Sequence, residues 1–395
     1  MNWRKTYALL WIIVPLLAVL FWTTGAAGAA GATSDWSVVP SVNPGTRNNS
    51  FTAVAALSPT NAWAVGWTTE GPLIERWNGT RWGVVANPGP PGGSLNGIFA
   101  VNNHDIWAVG SVFTSSGSRQ TLIEHWNGSA WKVVPSPAAG TLNAVTAAAA
   151  NEVWAVGSNF NPATNTNQVL IEHWEGHGWK IVPGANPGTG DNVFNGVTAI
   201  TAHDVWAVGR STTAVPTGGI SPRTVPNPSF QTLIEHWNGT KWQAIASPNP
   251  ASATNWLRAV AAVSSTNVWA VGQQAPQGEG PLQTLIEHWN GKMWTVVPSP
   301  NAGPAGGALI GVAVVNKDNI WAVGVSSAAQ TSFAWRTLVV HWDGRSWKID
   351  PSPNVGTSGS ILFAVARIPN TEKMWAVGAY NTTSAFLRTL TEFSD

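Results

Sequence analysis

A Glu-His dipeptide recurs along the chain at Glu124-His125, Glu172-His173, Glu235-His236 and Glu287-His288, followed by His341 alone and Glu392 alone. A carboxylate beside an imidazole is the usual equipment for proton transfer and for holding a metal ion. Each copy sits in a segment such as TLIEHW, which reads as a β-strand, and adjacent strand residues point to opposite faces. One dipeptide therefore cannot close on one ion. One histidine per repeat, at one depth, spreads the imidazoles round a ring instead of gathering them, so no metal site is expected. The pattern predicts a structural role: a ring of Glu···His hydrogen bonds between neighbouring repeats, because a buried carboxylate needs a partner.

Other chemistry is missing from the residues. Cys is absent, which removes disulfides and thiolate metal sites. No G-x-S-x-G, no H-E-x-x-H and no phosphate-cradling glycine loop occurs. The charge balance is even, at 20 Lys+Arg against 19 Asp+Glu, with no basic block, so no nucleic-acid partner is expected. No cofactor is expected either.

The elements that position these residues come from a repeat. WAVG occurs seven times, with its tryptophan at Trp63, Trp107, Trp154, Trp206, Trp269, Trp321 and Trp375. Between copies lies a segment like TLIEHWNG (Trp77, Trp126, Trp174, Trp237, Trp289, Trp342), then one like WKVVPSP led by Trp36, Trp82, Trp131, Trp179, Trp242, Trp294 or Trp347. A short apolar run such as LNAVTA precedes each WAVG. These are four strands per repeat, named a (LNAVTA), b (VWAVG), c (TLIEHW) and d (WKVVP), separated by Gly, Pro, Asn and Ser. No helical periodicity runs beyond one turn, and Gly 40 and Pro 27 punctuate the chain. The segment Asp35–Pro40 is a d strand with no a, b or c before it, and Thr389–Phe393 is a c strand with no d after it. Joining the two completes a unit, which is what a closed ring uses and an open solenoid does not. The expected fold is all-β: a seven-bladed β-propeller of four-stranded antiparallel blades, closed by pairing the N-terminal strand d with the C-terminal strands a–c. The blades are expected at about 51–86, 95–135, 141–183, 193–246, 256–298, 308–350 and 360–393 plus 35–40.

The strand order, the glycine ending strand b and the aromatic–turn–Trp hairpin from c to d resemble kelch repeats, as in the galactose-oxidase propeller. WAVG stands where kelch has a double glycine, and WNGxxW where it has Tyr-Asp and a following Trp. The motifs are similar also to a group of uncharacterised secreted bacterial proteins built from WAVG and HWNG repeats. The likeness spans residues 35–393 and implies fold, not function. The radical-copper chemistry of the oxidase needs a tyrosine joined to cysteine, and Tyr380 is the one tyrosine beyond the signal region of a chain without Cys. A sialidase reading fails on its missing arginine cluster and S-x-D-x-G-x-T-W boxes.

Residues 1–32 read as a secretory signal peptide: Arg4 and Lys5, an apolar run from Ala8 to Trp22, and A-x-A matches ending at Ala29 and Ala32. The apolar run is shorter than the roughly 20 residues that span a bilayer. The propeller then occupies 33–395, secreted or at the cell surface, with no membrane span after cleavage.

The recurring tryptophans are expected to pack unit against unit. Asn-Gly after strand c, including the N-x-[ST] matches at Asn78, Asn127 and Asn238, reads as turn chemistry. Asp105, Asp204, Asn267 and Asn319 are expected to cap the a–b turn. The variable positions fall on the rim of b–c loops and d–a links, with the longest loop at Arg210–Gln231. Strand a opens with [LF]-x-[GA]-[VI], where x is Thr52, Asn96, Asn143, Asn195, Arg258, Ile310 and Phe363. The polar members Thr52, Asn96, Asn143, Asn195 and Arg258, with Trp256 as a stacking platform for a sugar ring, are the candidate ligand-binding residues at one mouth of the channel. A packing role toward the neighbouring blade is the competing reading. The expected function is a non-catalytic extracellular binding or scaffolding propeller recognising a protein or surface glycan through its b–c and d–a loops. The alternatives are an extracellular polysaccharide hydrolase or lyase, and a structural surface-coat component.

Overall fold

The computed structural model describes residues 35–115, 117–212, 229–276, 280–303, 306–327, 335–356, 358–382 and 386–394. The signal segment expected at 1–32 and the insertion 213–228 lie outside them. Among the described residues there are strands and no helix, and so no helix long and apolar enough to cross a membrane.

The first unit shows the rule. Strand a is Asn49–Ser58, b is Asn61–Thr68, c is Pro72–Trp77 and d is Trp82–Val84, paired antiparallel in that order. The same meander repeats along the chain. In the last unit a is Gly359–Arg367, b is Met374–Asn381 and c is Leu387–Ser394. Its fourth place is taken by Trp36–Val38, with Trp36 opposite Ser394 and Val38 opposite Glu392. Each strand a packs on strand a of the next unit, and Asn49–Ser58 also packs on Gly359–Arg367.

Strand b is covered on both faces, which is why it reads as a continuous apolar run and not as an alternation. Its tryptophan is the centre of each unit's contact with the next. Trp154 stacks on His173 of its own unit at 3.9 Å and 11°, then meets the next unit's Trp237 at 5.0 Å and Trp242 at 5.4 Å. The same cage joins the last unit to the first, where Trp375 meets Trp77 at 5.0 Å and Trp82 at 5.1 Å. The glycine after WAV is required by close approach. A Cβ on Gly209 would fall 1.9 Å from the Val193 carbonyl oxygen of strand a.

The histidines and glutamates do not pair across units, which corrects the expected Glu···His ring. His125 lies opposite Trp107 in the b–c register, so its ring rests on the indole, and its Nε2 reaches Asp105 at 2.8 Å. His173 pairs likewise with Glu152, His236 with Asp204, His288 with Asn267 and His341 with Asn319, all within 3.0 Å and within one unit. The physical reason is the period of two: residues two apart on strand b share a face with the histidine opposite them, and the glutamate next to the histidine points away. Asp105, Asp204, Asn267 and Asn319 are thus histidine partners and not turn caps. The a–b turn is capped instead by the residue that ends strand a, as where Asn102 Oδ1 accepts from the His104 amide. In the c–d turn the Asn reading holds in modified form. Asn238 Oδ1 accepts from the amides of Thr240 and Lys241, while Gly239 takes the positive φ of 91°.

The glutamates face the d–a links. Glu75 accepts from the Val42 amide at 3.1 Å, Glu172 from the Ser136 hydroxyl at 2.9 Å and Glu235 from the Ala185 amide at 3.0 Å. All six of Glu75, Glu124, Glu172, Glu235, Glu287 and Glu392 are fully buried. Burial pushes the carboxyls of Glu75, Glu287 and Glu392 up to about 8 and those of Glu124, Glu172 and Glu235 up to about 7.

Two outcomes follow. Replacing the caged Trp206 with Ala costs about 3–5 kcal/mol by cavity formation, and replacing Trp335, outside the repeat pattern, costs much less; equal losses in chemical denaturation would contradict the cage. The glutamates give stability a pH dependence. Their folded-state values lie above the ordinary 4.5, so between 4.5 and about 8 the folded chain binds protons that the unfolded chain has lost. Stability is then greatest below 4.5 as far as these groups are concerned, and falls as pH rises toward 8. Thermal midpoints should decline from pH 5 to pH 9, with a flatter curve for Glu287→Gln; a midpoint that climbs over that range would refute the assignment.

Candidate functional site

The strand order sorts the connections. The a–b and c–d turns share one rim, and the b–c loops and d–a links share the other. The candidate residues lie where strand a leaves the second rim.

Each x position of strand a is a β-bulge. The a–b register slips across Thr52, Asn96, Asn143, Asn195, Arg258, Ile310 and Phe363 in turn. A bulge re-aims its side chain out of the pleat. Here the side chain is aimed at the next unit. Thr52 Oγ1 donates to the Leu95 carbonyl at 2.7 Å, and Asn96 Nδ2 donates to that of Leu142 at 2.8 Å. Asn143 Nδ2 donates to Phe194 at 2.7 Å, and Asn195 Nδ2 to Leu257 at 2.8 Å. All four side chains are half-buried. Their donors are committed to clasping unit to unit, as the packing reading expected, and the asparagine Oδ1 atoms remain as acceptors.

The clasp stops at Arg258. Its guanidinium carbon turns back to 3.4 Å from the centroid of Trp256, while Nη2 meets Gln273 Oε1 at 3.4 Å. On the same indole lies a residue that the strand-a pattern does not point to: Arg210, from strand b of the preceding unit (Asp204–Thr212), at 4.0 Å. Two guanidinium carbons that close to one centroid collide if they share a face, so they occupy opposite faces. Trp256 is therefore sandwiched between cations and is not an open platform for a sugar. Phe230, which begins strand c of Arg210's unit (Phe230–Trp237), lies nearly parallel to Trp256 at 6.2 Å and 17°. Its main chain meets Thr254 in a single parallel pair that stitches the two units together.

The electrostatics of this cluster are unusual. Neither arginine forms an ion pair among the described residues, and Nε of each is buried without a hydrogen-bond partner, as is the Trp256 Nε1. Burial first, and then repulsion from Arg210, lowers the Arg258 pKa to about 9. Burial also lowers that of Arg210, opposed by Asp191, whose Oδ1 is already taken by the Asn167 amide at 2.7 Å and Nδ2 at 3.1 Å. A cavity of about 300 Å³ opens nearby, lined in part by Gly188, Ser211, Gln231 and Asn249. Among the described residues no group of three His, Asp or Glu gathers as metal ligands do. The signal for Arg210 was in the sequence. Both it and Trp256 stand in consecutive units at positions that vary from unit to unit, and no other unit has a cation at the first, or an aromatic residue at the second.

No protein-family model matches the chain, and no curated protein matches it in sequence. Among solved structures it is similar to the one described as YCF48 bound to D1 peptide, with a TM-score of 0.54 and 11% identity over 93% of this chain and 99% of that one. That likeness, with the repeated four-stranded antiparallel units, defines the fold as a β-propeller.

Proposed function

We propose that the chain is an exported, closed, seven-bladed β-propeller that works without catalysis, holding a segment of a protein partner on the rim of its b–c loops and d–a links. Closure is supported by the pairing of Trp36–Val38 with Leu387–Ser394 and by the cage that Trp375 shares with Trp77 and Trp82. Export to a secreted or cell-surface location is supported by the layout of residues 1–32.

The observation that carries the binding role is the contrast between the rims. On the a–b and c–d rim the same side chain–backbone bonds recur unit after unit, as in the turns at Asn78, Asn127, Asn238 and Asn290. On the other rim the repeat is broken by two half-buried arginines, Arg210 and Arg258, which form no ion pair among the described residues and lie beside the longest insertion. Variable loops on a rigid scaffold are where binding resides. The propeller it resembles was solved with a peptide bound, which agrees with a protein partner. None of the seven bulge positions carries a carboxylate, so the paired acids of polysaccharide hydrolysis gain no support there.

Purified residues 33–395 should bind members of a peptide array saturably. Replacing 213–228 with a short Asn-Gly turn should weaken that binding, and substitutions in the c–d turns should not. Binding to glycans alone, indifference to every loop of the variable rim, or self-assembly of the protein into sheets or filaments would overturn the reading.

A further inference from the structure

We infer that the cavity of about 300 Å³ in the fourth unit, walled by residues 187–189 and 244–249, is a binding site for an uncharged amide; its delivery by a peptide, as an Asn or Gln side chain, rests on the binding role proposed above.

Two polar groups are left over in this cavity. Ser211 of strand b and Gln231 of strand c are direct partners in the register, so their side chains stand on one face of the hairpin, and both line the cavity. Ser211 is only 5% exposed, and its hydroxyl has no hydrogen-bond partner among the described residues. Nor has the Gln231 amide. Their polar neighbours in the lining are spent. The Thr232 hydroxyl lies 2.6 Å from Ser247 Oγ, Thr212 Oγ1 accepts from the Asp191 amide at 2.7 Å, and Asn249 Oδ1 accepts from the Thr232 amide at 2.8 Å. In the second unit the glutamine at the same place, Gln120, donates to the Ala138 carbonyl at 2.7 Å. The repeat thus has a structural use for this side chain, and the fourth unit leaves it unused.

The room comes from two small residues. Ala244, in strand d, lines the cavity where other units carry Val38, Val84, Val133, Ile181, Val296 and Ile349. Ala246 lines it where five of those units carry proline. Both walls are pinned. Asn192 accepts from the Gly188 amide and donates to the Gly188 carbonyl, each at 2.9 Å, while Asn249 ties the other wall to strand c. The space is therefore formed before a ligand arrives, and its volume is at the lower end of those that hold small ligands.

The lining selects the chemical class. Among the described residues it carries no charged and no aromatic side chain. An ion entering it would lose water without gaining a counter-charge. A sugar ring would find no aromatic face to stack on. A primary amide suits the two free groups, because Gln231 can exchange a pair of hydrogen bonds with it and the Ser211 hydroxyl both donates and accepts. Leu233 and Ile245 offer apolar surface to the methylene stem.

Two measurements decide it. N-acetylglutamine methylamide, titrated into purified residues 33–395, should shift the methyl resonances of Leu233 and Ile245 saturably, and the matching glutamate compound at neutral pH should not. Ala244→Ile, which installs a residue that other units carry, should abolish the shifts while leaving the melting temperature unchanged or higher. Ser211→Ala should weaken the binding by about fivefold or more, and it serves alone where Ala244→Ile fails to fold. Equal shifts from the glutamine and glutamate compounds, shifts from methyl glucoside alone, or affinity untouched by the substitutions overturns the proposal. The second measurement compares peptide libraries with and without Asn and Gln, which should bind and fail to bind respectively. Peptide binding that ignores Asn and Gln and survives both substitutions refutes the amide site and leaves the peptide-binding role standing. Binding of the glutamine compound with no peptide bound from any library refutes that role and leaves the site.

Discussion

The structure depends on one contact repeated from unit to unit: the indole of strand b, laid in five units on a histidine of its own strand c, with Arg76 and Phe393 in that place in the first and last, and met by tryptophans of the neighbouring unit. Trp63, Trp107, Trp154, Trp206 and Trp375 are at most 2% exposed. Each removes a large apolar area from water at the junction between units, and the aromatic geometry adds to that burial. A chain without disulfides can hold together on this contact because every unit both gives and receives it.

The same contact explains the placing of polar groups. Packing strand b from both sides leaves its neighbours on strand c with two different surroundings. The histidine lies against the indole and finds an acceptor two residues before it, at Asp105 or its equivalent. The glutamate lies on the far side, closed in by the d–a link, and keeps its proton into the neutral range. The blades are thereby committed to structure, in their apolar, polar and titratable groups alike. Freedom to vary is left to the loops and to the few positions where strand a meets the rim.

Much of this was legible in the residues. The strand order, the role of the recurring tryptophans and the pairing partner of the N-terminal strand followed from the repeat and from its orphan ends. The alternation rule also showed that Glu124 and His125 part company. It could not say which neighbour each would meet, since that depends on the b–c register and on how the d–a link folds over the sheet. The signal was nonetheless present: where strand c carries histidine, strand b begins with Asp, Glu or Asn, and where Arg76 replaces it, Asn61 Oδ1 accepts from Arg76 Nε at 3.0 Å. At the rim, the series Thr52 to Asn195 was visible as a pattern. Packing toward the neighbouring unit was one of two readings of that pattern, and the choice between them turns on the bulge that redirects those side chains, a three-dimensional feature. Arg210 escaped notice because it joins Trp256 and Arg258 only across a junction between units.

The central claim is that the junction between the last unit and the first is equivalent to every other, completed by the strand from the beginning of the chain. Deleting residues 35–40 tests it most directly, with stability and association state followed by thermal melting and light scattering. The account predicts a lower melting temperature and aggregation, because the deletion uncovers strand c of the last unit and removes Trp36 from its place against Trp321 at 5.6 Å. A truncated protein that stays monomeric with an unchanged melting temperature would contradict it.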